Sequence, residues 1–224
     1  SNERMKREES LHQFLTEPIY CILGEALCLG RGNIETARQV IDAGVKVIQY
    51  REKHKSWREK YAEASQIAAM CHKAGVTFIM NDSVDLAIAC GADGIHVGQD
   101  DAPYSFVRRL AGPDVLIGVS TNTIDEIKGA IADGADYVGF GPMYPTQSKK
   151  DANDVVSDEA IRYALTQDDM PLTCIGGVGP ENMAHLYKEG FRSFAMISSI
   201  ISQPDIGAAV RHMRDILSKA AQEG

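Results

Sequence analysis

Gly91-Ala92-Asp93-Gly94-Ile95 and Gly134-Ala135-Asp136-Tyr137-Val138 carry the same signal twice: a helical stretch stops at a glycine and an apolar strand follows. Ala43-Gly44-Val45-Lys46-Val47 and Ala74-Gly75-Val76-Thr77-Phe78 are looser copies, which makes the pattern a degenerate repeat. Its glycine fits a left-handed helix C-cap, which reverses the chain into the next strand within about two residues. Working outward, short β-rich apolar runs occur at residues 19–23, 45–50, 76–80, 94–98, 115–119, 137–140, 172–175 and 193–197. The segments between them have helical periodicity, as in Thr36-x-x-x-Val40-Ile41 and Tyr61-x-x-x-Ser65-x-x-Ala68. Eight such strands alternating with eight helices predict an α/β fold, a TIM (β/α)8 barrel in a single domain. A doubly wound open sheet is the structural alternative. Residues 1–17, polar with mixed charge, are expected to form an N-terminal extension, and residues 18–224 the barrel.

The 224 residues include 23 Lys and Arg against 31 Asp and Glu, a net charge of −8. That balance argues against a broad phosphate-tracking surface, so neither nucleic acid nor an anionic membrane is expected as a partner. An anionic ligand would need a few focused cations or a metal. No apolar run approaches the roughly 18 residues of a membrane span and the first residues lack a signal-peptide core, so a cytoplasmic location is expected. The five cysteines contain no C-x-x-C pair and are expected to be buried thiols.

In a parallel barrel the chemistry belongs at the C-terminal strand ends, where the loops form the open face. After the second strand, Gln49, Arg51 and Lys53 are spaced by two and would share one side if the chain stays extended. Two cations and an amide on one face suit a phosphate-rich ligand as well as a solvated strand end. The third strand ends in Asn81-Asp82 and the fourth in Gln99-Asp100-Asp101, so Asp82 and Asp101 bring carboxylates to one rim. With phosphate oxygens they would make a hard-oxygen site for Mg²⁺, but either aspartate could instead cap the helix that follows. Ser120-Thr121-Asn122-Thr123 supplies small hydrogen-bonding groups, or simply a cap closing on Glu126. The stretch from Gly139 to Lys150 reads as a mobile closing loop bearing hydroxyls and Lys149. Gly176-Gly177-Val178-Gly179-Pro180 bares backbone N–H groups ahead of a helix opened by Pro180, and Ile197-Ser198-Ser199 ends the last strand. Loops after strands seven and eight form the recurrent phosphate site of this architecture.

No G-x-S-x-G, H-E-x-x-H or phosphate-binding P-loop motif occurs. His96 lies inside the fourth strand and reads as a core histidine rather than a base; His12, His54, His72, His185 and His212 fall away from the predicted rim. A site rich in phosphate and metal ligands and poor in acid–base groups favours chemistry in which a phosphate leaves and the nucleophile needs no deprotonation.

Gln49-Tyr50-Arg51-Glu52-Lys53, Phe78-Ile79-Met80-Asn81-Asp82 and residues 91–101 resemble thiamine-phosphate synthases. Gly118-Val119-Ser120-Thr121, residues 141–149 and Ile175-Gly176-Gly177-Val178 extend the resemblance, in order, over about residues 19–202. It implies a Mg²⁺-dependent transferase that joins hydroxymethylpyrimidine diphosphate to a thiazole phosphate, giving thiamine phosphate and pyrophosphate by a dissociative route. Matched motif by motif, it implies that Asp82 and Asp101 hold Mg²⁺. Gln49, Arg51, Lys53, Asn81, Ser120 and Lys149 would contact the pyrimidine diphosphate, with Arg51, Ser120 and Lys149 as catalytic residues. Thr146, Ser148, Gly177, Ile197 and Ser198 would hold the thiazole phosphate. The partners are then small molecules, and a homo-oligomer is compatible with them.

Three positions depart from the family pattern. Ser148 stands where Thr is usual, Asn122 where His is usual, and residues 151–155 lack the family's glycine. A tautomerase-like isomerase of the same fold and a thiamine-phosphate-binding protein without activity are the competing readings. Joint retention of Arg51, Lys53, Asp82, Asp101 and Lys149 disfavours the isomerase, which needs no diphosphate site.

Overall fold

A computed structural model describes residues 4–146 and 154–224. Eight strands pair in parallel and close into one barrel in the order β1 to β8. They are β1 (Ile19–Leu23), β2 (Val47–Tyr50), β3 (Thr77–Asn81), β4 (Gly94–Val97), β5 (Leu116–Thr121), β6 (Tyr137–Phe140), β7 (Leu172–Cys174) and β8 (Phe194–Met196). The fold is the predicted TIM barrel, not the open sheet. Helix α1 (Arg7–Thr16) precedes the barrel; α2 (Asn33–Asp42), α3 (Trp57–Ala74), α4 (Val84–Cys90), α5 (Tyr104–Ala111), α6 (Ile124–Asp133), α7 (Asp158–Leu165) and α8 (Met183–Glu189) follow successive strands. After β8 come two helices where one was expected, the four-residue α9 (Ser198–Ile201) and the long α10 (Ile206–Glu223). None of the helices among the described residues is long and apolar enough to cross a membrane.

The repeat does what its composition predicts. Gly75, Gly91 and Gly134 take left-handed conformations at the ends of α3, α4 and α6, with φ of 71°, 70° and 91°. A residue with a Cβ would be strained there, and the turn could not be so short. The aspartate that follows in the two tighter copies has a second task. Asp93 Oδ2 accepts the Phe78 amide at 2.8 Å, and Asp136 Oδ2 accepts the Ile117 amide at 2.7 Å. Each carboxylate therefore ties its own strand to the preceding one at the N-terminal end of the barrel. Both also hold the N-terminal segment: Asp93 accepts from the Met5 amide at 2.6 Å, and Asp136 from Arg7 Nε at 2.8 Å.

Helix α1 lies under that end of the barrel. Its Phe14 is buried and packs on the rings of Tyr137 and Tyr20, at centroid separations of 4.5 and 6.2 Å. The Tyr137 ring occupies the space over Gly118, where an added Cβ would lie 2.1 Å from it. Glycine at 118 is thus a packing requirement, which the alternating pattern of the strand does not reveal.

Candidate active site

The open, C-terminal end of the barrel holds a cavity of about 400 Å³. Arg51 and Lys53 line it from the β2 side, Asn81 and Asp82 from the end of β3, Asp101 from the loop after β4, and Ser120 from β5. β2 stops at Tyr50, yet the alternation expected of an extended chain survives beyond it. Glu52, between the two cations, turns away and accepts from Asn33 Nδ2 at 2.8 Å. Gln49 sits lower, buried in a recess of the barrel interior beside Ser120 and His96.

Neither rim aspartate caps a helix. Ser83 and Pro103 occupy the N-cap positions of α4 and α5. Asp82 has a left-handed backbone, φ 67°, with its amide donating to the His96 carbonyl at 2.8 Å. That conformation costs a non-glycine residue about 1–2 kcal/mol, and it brings the carboxylate to the rim. Asp101 Oδ2 accepts the Gly98 amide at 2.7 Å. The two carboxyl groups line the same cavity and interact with each other, and Asp82 is paired with Lys53. Burial and the Asp82 carboxylate push Asp101 up; at Asp82 burial acts upward too, but the interaction with Asp101 and the Lys53 ammonium prevail and hold it down. Two neighbouring carboxyl groups that, when both are ionised, raise the cost of each other's charge form a donor pair that a hard divalent cation would relieve. Among the described residues no group of three or more His, Cys, Asp or Glu side chains converges on a metal position. Mg²⁺ needs no such group when substrate phosphates and water complete its shell.

The floor of the cavity is a chain of polar side chains. Gln49 Nε2 donates to Tyr20 Oη at 2.8 Å, Tyr20 Oη is 2.8 Å from Tyr137 Oη, Tyr137 Oη is 2.9 Å from His96 Nδ1, and His96 Nε2 is 2.7 Å from Ser120 Oγ. His96 is indeed buried and hydrogen-bonded, but it also reaches the site through Ser120. Tyr20 and Tyr137 escape a sequence reading because an inward tyrosine looks like any core aromatic. Gln99 is another residue the sequence did not single out, donating to the Ser120 carbonyl at 2.8 Å.

A smaller cavity, about 110 Å³, adjoins the first; Thr146, Gly177, Ile197 and Ser198 line it, and Thr146 and the Ile175-Gly176 backbone border both. Gly177 has φ 71°, and a Cβ there would sit 2.8 Å from the Tyr144 Cβ. Asn182 braces this loop, donating to the Gly177 carbonyl at 2.8 Å and accepting the Gly179 amide at 3.0 Å. Pro180 precedes α8 by a turn and does not open it; Asn182 is the N-cap residue. Ser120 and Thr121 belong to β5, while Thr123 caps α6 by accepting the Glu126 amide at 3.2 Å. Ser148 and Lys149, in the last four residues of the expected closing loop, lie outside the described residues. Asn122 bonds both flanks of that segment, donating to the carbonyls of Gly141 and Asp154, each at 2.9 Å.

Comparison with known proteins gives the family of the chain. The family model described as thiamine monophosphate synthase matches residues 19–200. A thiamine-phosphate synthase of Pelotomaculum thermopropionicum is 42% identical over 215 residues, covering 96% of this chain and 99% of the relative. One from Caldicellulosiruptor saccharolyticus is 37% identical over 96% of this chain and 97% of its own. The solved thiamine phosphate pyrophosphorylase from Pyrococcus furiosus superposes with a TM-score of 0.82 at 28% identity, covering 94% of this chain and 98% of that one. On its sequence, its barrel and these relatives, the chain belongs to the thiamine monophosphate synthase family.

Proposed function

We propose that the protein is a thiamine-phosphate synthase, a transferase that joins hydroxymethylpyrimidine diphosphate to a thiazole phosphate and releases pyrophosphate. The observation that carries this reading is the meeting of two cations and two carboxylates in one cavity, beside a smaller glycine- and serine-lined one. The first suits a diphosphate with its metal, the second a phosphate monoester. In the reaction the bond from the pyrimidine methylene carbon to the diphosphate oxygen breaks and its electron pair leaves with pyrophosphate. The thiazole nitrogen lone pair then forms the new C–N bond to the pyrimidine-methyl cation. No proton has to be removed, so the cavity needs no general base.

The chain's burden is electrostatic. Arg51, Lys53 and Lys149 stabilise charge that builds on the departing oxygens, a contribution larger in the transition state than in the bound substrate. Gln49, Asn81 and Ser120 orient the pyrimidine; Thr146, Ser148, Gly177, Ile197 and Ser198 orient the thiazole phosphate. Asp82 and Asp101 would hold Mg²⁺, which when bound neutralises charge on the diphosphate. A cytoplasmic location belongs to the same proposal and is supported by five free cysteines.

The test is to mix the protein with both substrates and follow pyrophosphate release with and without Mg²⁺. Release that needs both substrates and the metal is expected. No release under any metal condition overturns the proposal in favour of a tautomerase-like isomerase or a non-enzymatic binding protein.

A further inference from the structure

The chain of hydrogen bonds beneath the cavity has one direction in which every buried donor finds an acceptor; the reverse leaves the Tyr20 proton unpaired. Gln49 Nε2 can only donate, and it donates to Tyr20. The Tyr20 proton is then left for the Tyr137 oxygen and the Tyr137 proton for His96 Nδ1. A neutral imidazole that accepts at Nδ1 carries its proton on Nε2. Nε2 faces Ser120 Oγ, so Ser120 accepts from the histidine and its own proton is directed toward the cavity it lines.

We infer that Tyr137 is a positioning residue: its hydroxyl fixes His96 as the Nε2–H tautomer and thereby makes Ser120 a hydrogen-bond donor toward an acceptor atom of the bound substrate. The surroundings of Tyr137 hold it to that task. Its ring lies over Gly118, against Phe14 from below and Tyr20 from the side, which leaves the hydroxyl little choice of direction. Burial pushes both phenols up, so each keeps its proton at neutral pH and can pass on a hydrogen bond. The inference rests on the proposed synthase reading for what occupies the cavity, but the tautomer itself does not.

Tyr137→Phe tests it, because the ring and its packing stay and only the hydroxyl goes. The expected result is a fall in kcat of about 10-fold, with the KM for the thiazole phosphate, bound in the second cavity, within about 2-fold of wild type. In ¹⁵N-histidine-labelled protein the His96 ring, assigned by loss of its signals in His96→Gln, should be the Nε2–H tautomer in wild type and lose that preference in Tyr137→Phe. A wild-type His96 protonated at Nδ1, or a Tyr137→Phe protein with unchanged kcat and tautomer, overturns the inference. Should Tyr137→Phe not fold, Tyr20→Phe removes the preceding link, and the wild-type tautomer decides on its own. Absence of pyrophosphate release in wild type would defeat the synthase reading and leave the tautomer measurement standing as the test of the relay.

Discussion

The Lys53 ammonium is bonded to the Asp82 carboxylate across the mouth of the cavity. One rim cation is thus neutralised by one rim carboxylate, and neither group is committed to substrate. A divalent cation between Asp82 and Asp101 would release Lys53 to the diphosphate, so metal and substrate are expected to help each other bind.

Asp82→Asn is therefore the informative metal-site variant. Asparagine tolerates the left-handed backbone at 82, φ 67°, which alanine would strain. Pyrophosphate release should drop at least about 10-fold and the half-saturating Mg²⁺ concentration should rise by a similar factor, with partial rescue at high Mg²⁺. An unchanged Mg²⁺ dependence in steady-state assays would remove Asp82 from the metal site.

Lys149→Ala should lower kcat more than it raises KM, by about 100-fold if the lysine meets charge that appears on the leaving group. Full steady-state kinetics distinguish this from a ground-state contact, which would move KM alone.

Gly118→Ala places a methyl group 2.1 Å from the Tyr137 ring. The ring must shift against Phe14 and away from His96, at a cost of about 1–3 kcal/mol. A lowered Tm together with reduced activity is expected; a wild-type Tm would show that the interior yields more easily than its packing implies.

Asn122→Ala leaves the carbonyls of Gly141 and Asp154 without their shared donor. Losing two hydrogen bonds, each worth about 1 kcal/mol, should loosen the segment's flanks and raise the KM for both substrates several-fold. A kinetic profile matching wild type would leave Asn122 with a local structural part only.

Much of this arrangement is legible in the chain, for a physical reason. A parallel barrel sends whatever follows each strand to one face, so Arg51, Lys53, Asn81, Asp82 and Asp101 can be assembled from strand ends alone. What lies inside the strands is harder. Tyr20 and Tyr137 follow the apolar alternation, and only their three-dimensional partners show that their hydroxyls matter. Whether Asp82 caps a helix turns on a backbone angle that composition does not encode. Asn122, conspicuous as a departure from the family pattern, shows its partners only where two distant backbone carbonyls converge on it.

The contacts under the barrel also set an order of events in the making of the molecule. Arg7 and its partner Asp136 are 129 residues apart, and Met5 and Asp93 are 88 apart. A ribosome delivers α1 before the barrel, but Asp93 follows only with β4, and Asp136 and the Tyr137 ring only with β6. Phe14 must wait for the Tyr137 ring, and the docking of α1 becomes a seal on a barrel with most of its strands already made.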